Sequence, residues 1–225
     1  MPEPPPKGRA APARTDPDRR IDGFEPLPWL VGGHLETIVP GIWVSPGVPG
    51  EFEREVIRVS PEASVAVLVH RPAIPPRGTL LLVHGMGGSA DSGYVCRTAT
   101  RALEKGWVAA RMNCRNCGGT AALSRTLYNA GQSDDIGAVL EALAARGLPR
   151  PLVAVGFSLG GNLVLRYGGL AGYGSVADAI AAVNPPVDLE ACSRALERPA
   201  NRLYQLNFTL RLCREIERIR RIRPV

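Results

Sequence analysis

The sequence predicts an α/β fold, a mostly parallel sheet with helices on both faces, and three observations carry that expectation. Apolar runs alternate with helical patterns from Thr79 to Val183. Three of those runs, Thr79-Leu80-Leu81-Leu82-Val83, Leu152-Val153-Ala154-Val155 and Ala179-Ile180-Ala181-Ala182-Val183, lack polar alternation. Strands of that kind suit a parallel sheet buried on both faces. Glycine and proline then punctuate the joins, at Pro72 to Gly78, Gly106, Gly147 and Pro149.

Taken in order, Glu53 to Ser60 alternates apolar and charged residues and reads as a half-exposed strand. Ser64 to His70 is a second strand, and the turn at Pro72 to Gly78 leads into the run ending at Val83. Tyr94 to Lys105 is a helix stopped by Gly106, and Trp107 to Met112 is the next strand. Ser133 is a candidate N-cap, with Asp134 and Asp135 in the first turn. Ile136, Val139, Leu140 and Leu143 fall at i, i+3, i+4 and i+7, one face of a helix that Gly147 and Pro149 end. Leu152 to Val155 is followed by a sharp turn and a helix to about Tyr167, and Ala179 to Val183 is the last strand. From about Asn201 to Arg223, Leu203, Leu206, Leu210, Cys213 and Ile216 recur at three- and four-residue steps, giving an amphipathic helix with an Arg-rich outer face.

A chain of 225 residues with 45% hydrophobic content is long enough for one sizeable core. Three segments are expected: a disordered Pro/Arg-rich tail over 1–20, a core over 21–200 and the Arg-rich helix over 201–225. The net charge of +6 comes largely from arginines crowded at the two ends, which weakens the case for a nucleic-acid partner. The first residues lack the apolar stretch of a signal peptide, and no run approaches the roughly 18 apolar residues of a membrane span. The expected compartment is the cytoplasm. Five cysteines show no disulfide framework, and Cys114 and Cys117 form a lone C-x-x-C before Gly118-Gly119 that reads as loop. No metal site is expected, because a zinc centre needs ligands that the scattered remaining Cys and His do not supply.

The chemistry-bearing feature is Gly156-Phe157-Ser158-Leu159-Gly160, placed directly after an apolar strand and before an apolar helix. In such a strand-to-helix turn the serine sits in strained backbone, and only glycine fits around it. The turn lifts the Ser158 hydroxyl out of the sheet and leaves the Leu159 N–H at the helix start, where it can stabilise an oxyanion. A second donor is expected from the loop after the strand ending at Val83, and the backbone N–H of Met86 in His84-Gly85-Met86-Gly87-Gly88 is assigned to it. His84 at the strand end is expected to hydrogen-bond within that loop.

Five blocks together resemble the YheT-like subgroup of the α/β-hydrolases, which are related to the animal ABHD proteins. They are Gly33-His34-Leu35-Glu36-Thr37-Ile38, His84-Gly85-Met86-Gly87-Gly88, Asn113-x-Arg115-x-Cys117-Gly118-Gly119, Tyr128-Asn129-Ala130-Gly131-x-x-x-Asp135 and Gly156-Phe157-Ser158-Leu159-Gly160-Gly161-Asn162. The resemblance covers about Pro28 to Leu210 and implies an α/β-hydrolase fold. It implies a serine carboxylesterase or lipase with Ser158 as nucleophile, an acyl ester or lipid substrate and no cofactor. Asn116 stands where this family has glycine.

The family runs further, through two more strands whose loops supply the acid and the histidine. No histidine follows His84, and Val225 falls among what should be cap helices, so an impaired or C-terminally truncated form is expected. Asp188, after the last strand, is a candidate acid, against the reading that it is a turn or helix-cap residue. His34 and His70 are candidate surrogate bases that nothing in the sequence aims at Ser158. The sheet edge at Ala179 to Val183 is expected to be exposed and to favour self-association. A non-catalytic ligand-binding or interaction protein retaining the fold is the competing reading, and nucleic-acid binding through the Arg-rich helix is a distant third.

Overall fold

The apolar runs line up as a single six-stranded sheet in the order β1-β2-β4-β3-β5-β6. A computed structural model describes Leu27, Trp29 and residues 32–42 and 47–222, so the expected tail over 1–20 lies outside the described residues. The strands are β1 (Glu53–Ser60), β2 (Ala63–His70), β3 (Gly78–Val83), β4 (Trp107–Asn113), β5 (Leu152–Phe157) and β6 (Ala179–Val183). The helices are α1 (Gly33–Ile42), α2 (Gly93–Glu104), α3 (Asp134–Ala145), α4 (Leu159–Ala171), α5 (Leu189–Leu196) and α6 (Arg202–Ile222). The chain forms two compact units, Met1–Trp43, which holds α1, and Val44–Val225, which holds the sheet and the other helices.

β1 and β2 form an antiparallel hairpin, and β2 is antiparallel to β4. From β4 onward every pairing is parallel, β3 with β4, β3 with β5 and β5 with β6. Parallel neighbours need crossovers, and α2, α3 and α4 supply them. Parallel pairing also brings the C-terminal ends of β3, β4 and β5 side by side, which is where open α/β sheets place their ligands.

Both faces of the sheet are covered. One packs Val65, Val67, Leu81, Val83, Met112 and Ala154 against α3 and α4, through Ile136, Val139, Leu140, Leu143, Leu163 and Val164, all essentially solvent-free. These include the four α3 residues whose spacing predicted an apolar face. The other packs Leu82 and Ala109 against Val95, Ala99 and Ala102 of α2. Burying such side chains contributes about 1.5–3 kcal/mol each.

The structure differs from the sequence expectations in three places. Ser133 precedes α3, but its backbone is already helical, its side chain accepts no capping bond and its Oγ is buried without a partner. A capping serine needs extended backbone to reach back to the first N–H groups. Asp135 does not serve the helix dipole alone either, because its two oxygens receive Arg115 Nε at 2.7 Å and Nη2 at 2.6 Å. Thirdly, the stripe Leu203, Leu206, Leu210, Cys213 and Ile216 was expected to be the inner face of the last helix, yet all five residues are exposed. The half-buried positions of α6 are Tyr204, Phe208, Glu215 and Ile219. Helices α1 and α5 are additional, since their sequences are too short and too mixed to declare a helical period.

The Arg115–Asp135 pair ties the loop after β4 to the start of α3, and both side chains are nearly buried. Breaking such a pair leaves an uncompensated charge. Asp135→Ala is expected to destabilise the protein by about 3 kcal/mol or more, read as a lowered midpoint in urea unfolding.

Candidate active site

Ser158 sits between β5 and α4 with φ 50° and ψ −121°, a left-handed backbone that a non-glycine residue rarely adopts. Such a conformation costs roughly 1–3 kcal/mol and persists only where the surroundings enforce it. Here the Ser158 N–H donates to the Val183 carbonyl of β6 at 2.9 Å, and the Ser158 carbonyl receives the Asn162 N–H at 3.1 Å. The flanking glycines allow the turn to close. A methyl group at Gly156 would collide with the backbone of Gly160 and Gly161, and one at Gly160 would collide with the Val83 and His84 carbonyls. The serine side chain is exposed above the sheet.

The loop after β3 passes directly against this turn. A Cβ placed on Gly85 would lie 3.0 Å from Ser158 Cβ and 3.5 Å from Ser158 Oγ. Met86 and Leu159 both line a cavity of about 700 Å³, and Ser158 lies outside its lining. Neither the Met86 nor the Leu159 N–H finds an acceptor among the described residues. The geometry therefore brings Ser158, Met86 and Leu159 to one place.

Around them, the loop is held from three sides. The ring of His84 is fully buried, and its Nε2 accepts the Cys114 N–H at 3.1 Å. That acceptor role leaves the proton on Nδ1, which donates to the Gly85 carbonyl at 2.7 Å. Tyr94 of α2 receives the Gly85 N–H on its hydroxyl at 3.0 Å, and its ring packs on Phe157, next to the serine. Tyr128 donates its hydroxyl proton to the His84 carbonyl at 3.3 Å. Asn113 accepts the Ala90 N–H at 2.8 Å and so fixes the segment entering α2. Several residues of the sequence blocks therefore brace the loop rather than reach a substrate.

Two of the histidines and the candidate acid each have a described setting of their own. His70 is buried on β2, where its Nε2 receives Arg111 Nη2 at 2.9 Å. Burial, and then the Arg111 charge, lower its pKa. His34 lies on α1 in the first compact unit. Asp188 precedes α5, and its carboxylate accepts the Ala191 N–H at 2.8 Å, the bond of a helix N-cap. Asn116 has φ 63°, a left-handed conformation in which asparagine is the usual second choice after glycine.

Cys114 and Cys117 are free, and burial raises both thiols, that of Cys117 to about 12. Among the described residues no group of three or more His, Cys, Asp or Glu is placed to hold a metal ion. Sequence reasoning missed Tyr94 and Arg211. Arg211 of α6 reaches the Gly87 carbonyl at 3.2 Å across 124 residues of chain, and no local pattern could have announced that contact.

The sheet order, the strained serine turn and the glycine loop beside it define an α/β-hydrolase architecture. Residues 78–218 match the alpha/beta hydrolase fold family, and the chain belongs to that family. Among its relatives are the predicted esterase YheT of Escherichia coli (strain K12), 28% identical over 81% of this chain and 54% of that protein. Phospholipase ABHD3 of Mus musculus is 31% identical over 84% of this chain and 47% of its own length. The embryogenesis-associated protein EMB8 of Picea glauca is 33% identical over 72% and 38%. The chain thus spans about half the length, or less, of these curated relatives. Among solved structures, the serine hydrolase XC6422 of Xanthomonas campestris superposes with a TM-score of 0.52 at 24% identity, covering 64% of this chain and 66% of that one. A serine hydrolase homologue from Coxiella burnetii gives 0.52 at 23%, covering 65% and 69%. Both likenesses speak to the fold.

Burial lowers the His84 pKa to about 4, below the value near 6.5 of an unfolded chain. The native state therefore binds fewer protons at this site between those two values, and stability rises with pH across that window. The stabilisation is complete above about pH 6.5 and is lost as pH falls toward 4, by roughly 3 kcal/mol. His70 titrates in the same sense. Urea midpoints measured from pH 7 to pH 4 should fall steeply in the native protein and less steeply in His84→Gln.

Proposed function

We propose that the chain is a carboxylic-ester hydrolase that acts on acyl esters or lipids through an acyl-enzyme on Ser158. The N–H groups of Leu159 and Met86 hold the oxyanion. The observation that carries this reading is the approach of the Gly85 loop to the strained Ser158 turn, with both donors free beside a cavity of about 700 Å³. That volume is in the range of small-molecule sites. In the proposed reaction Ser158 Oγ attacks the ester carbonyl, the alcohol leaves, and water releases the acid. The backbone donors stabilise the charge that develops on the carbonyl oxygen.

In the unit containing Ser158, His70 and His84 are committed to Arg111, Cys114 and Gly85, and Asp188 caps α5. A serine without an adjacent base is a weak nucleophile. Loss of a triad histidine costs on the order of 10⁶ in kcat, and an oxyanion hole with binding alone retains ~10³-fold over water. The 225-residue chain by itself is therefore proposed to be a slow esterase. Those committed side chains also favour a second reading, a fold-retaining protein that binds an ester or fatty acid without turning it over.

One experiment separates the two. The chain is treated with a fluorophosphonate probe and assayed on p-nitrophenyl esters, alongside Ser158→Ala. Slow labelling and slow hydrolysis, both abolished by Ser158→Ala, support the hydrolase. Ester binding that survives Ser158→Ala, with no labelling of the native chain, supports the binding protein.

We further propose that β6 mediates self-association. It is one of the two edge strands of the described sheet, and apart from Ala182 its residues are exposed and carry no charge. An uncharged edge is a template for another chain. Sedimentation velocity should give a dimer or larger species that Ile180→Lys returns to monomer. A native chain that stays monomeric at high concentration would end this proposal.

A further inference from the structure

The apolar stripe of α6 faces away from the rest of its unit. Leu203, Leu206 and Leu210 are 71%, 56% and 45% exposed, and Cys213 continues the line one turn further on. At 3.6 residues per turn these positions lie roughly opposite Tyr204, Phe208, Glu215 and Ile219, the half-buried side of the same helix. Arginines run along both flanks of the stripe, Arg202 and Arg220 on one and Arg214 and Arg221 on the other. Arg221 pairs with Glu217 at 3.3 Å, while Arg202, Arg214 and Arg220 have no acidic partner among the described residues. An exposed apolar line flanked on both sides by arginines, three of the four unpaired, is the pattern of a helix lying in a membrane interface. No described helix is long and apolar enough to cross a membrane, so α6 would lie on the surface.

We propose that α6 docks on an anionic lipid bilayer, with Leu203, Leu206 and Leu210 entering the headgroup boundary and Arg202, Arg214 and Arg220 taking the lipid phosphates. Charge complementarity selects this occupant. A second copy packed stripe to stripe would offer these arginines Glu217 as the acid within the exposed arc, and Glu217 already pairs with Arg221. An RNA would supply phosphates and leave three exposed leucines uncovered. A bilayer supplies both the negative surface and the apolar layer beneath it. The same helix contributes Leu212, Glu215 and Ile216 to the wall of the cavity beside Met86 and Leu159. Docking would therefore place the cavity about one helix diameter from the lipid surface. The proposal stands apart from the ester-hydrolase reading, because it concerns binding and not turnover.

The test is co-sedimentation of the full 225-residue chain with sucrose-loaded vesicles, of phosphatidylcholine alone and of equimolar phosphatidylcholine and phosphatidylglycerol. The expected result is partition to the anionic vesicles, little to the neutral ones, and weakening by salt. Neutralising Arg202, Arg214 and Arg220 to glutamine should weaken partition roughly fivefold per arginine, the equivalent of about 1 kcal/mol each. Leu206→Asp with Leu210→Asp should abolish it. All these side chains are exposed, and the arginine set tests the proposal if the aspartate pair disturbs the fold by circular dichroism. Equal binding to both vesicles, or none to either, overturns the proposal. So does an oligomer that Leu206→Asp dissociates without any vesicle binding, which assigns the stripe to a second copy. Partition that depends on the arginines but ignores the leucines, and that RNA displaces, overturns it in favour of nucleic acid.

Discussion

The contact between the glycine loop after β3 and the turn at Ser158 is the constraint around which the site is arranged. Two irregular backbone segments must pass within van der Waals distance, and each is strained or glycine-bearing where they meet. Such an approach survives only if both segments are anchored elsewhere. The Ser158 turn is anchored by β6 through the Val183 carbonyl. The loop is anchored by β4 through His84, by α2 through Tyr94 and by the 118–133 segment through Tyr128. Each support comes from a different element, so the site depends on the whole parallel half of the sheet.

This arrangement explains why burial is spent on polar groups here. His84, Asn113, Asn116, Arg111 and Asp135 are all nearly solvent-free, an unusual company for a small core. Unpaired, such groups would each cost several kcal/mol. Most are paired, and their partners are the carbonyls and N–H groups of the loops that shape the cavity. Arg115 and Asp135 meet as a fork on a carboxylate, which fixes orientation as well as distance. Arg111 performs a similar service on the other face, reaching the Ala90 carbonyl and His70 at once. The orphaned atoms that remain, on His70, Arg111, Asn116 and Ser133, sit on or next to these same structures.

The two sides of the second unit contrast in burial. Strands β2, β3 and β4 are buried almost throughout, whereas β6, α5 and α6 contain no fully buried residue. The cavity lies where these regimes meet, with a firm floor of Met86, Asn116 and Leu159 and a wall of α6 side chains attached by few interactions. Arg211 ties that wall to the donor loop through the Gly87 carbonyl.

By itself, the sequence determined the strand runs, the α3 face and the serine turn, because each rests on local chemistry. Continuous apolar runs, a 3.6-residue period and glycine around a strained serine leave marks within a few residues. The blocks from His84 to Asp135 were also legible as a set, though not for their work. Only the tertiary structure decided that Arg115 pairs with Asp135, that Tyr94 and Tyr128 hold the loop, that Asp188 is a cap and that His70 faces Arg111. It also turned the leucine stripe of α6 outward, where periodicity alone says that one face is apolar and not which face meets the core. Those outcomes depend on contacts across tens of residues, and local propensity carries no information about them.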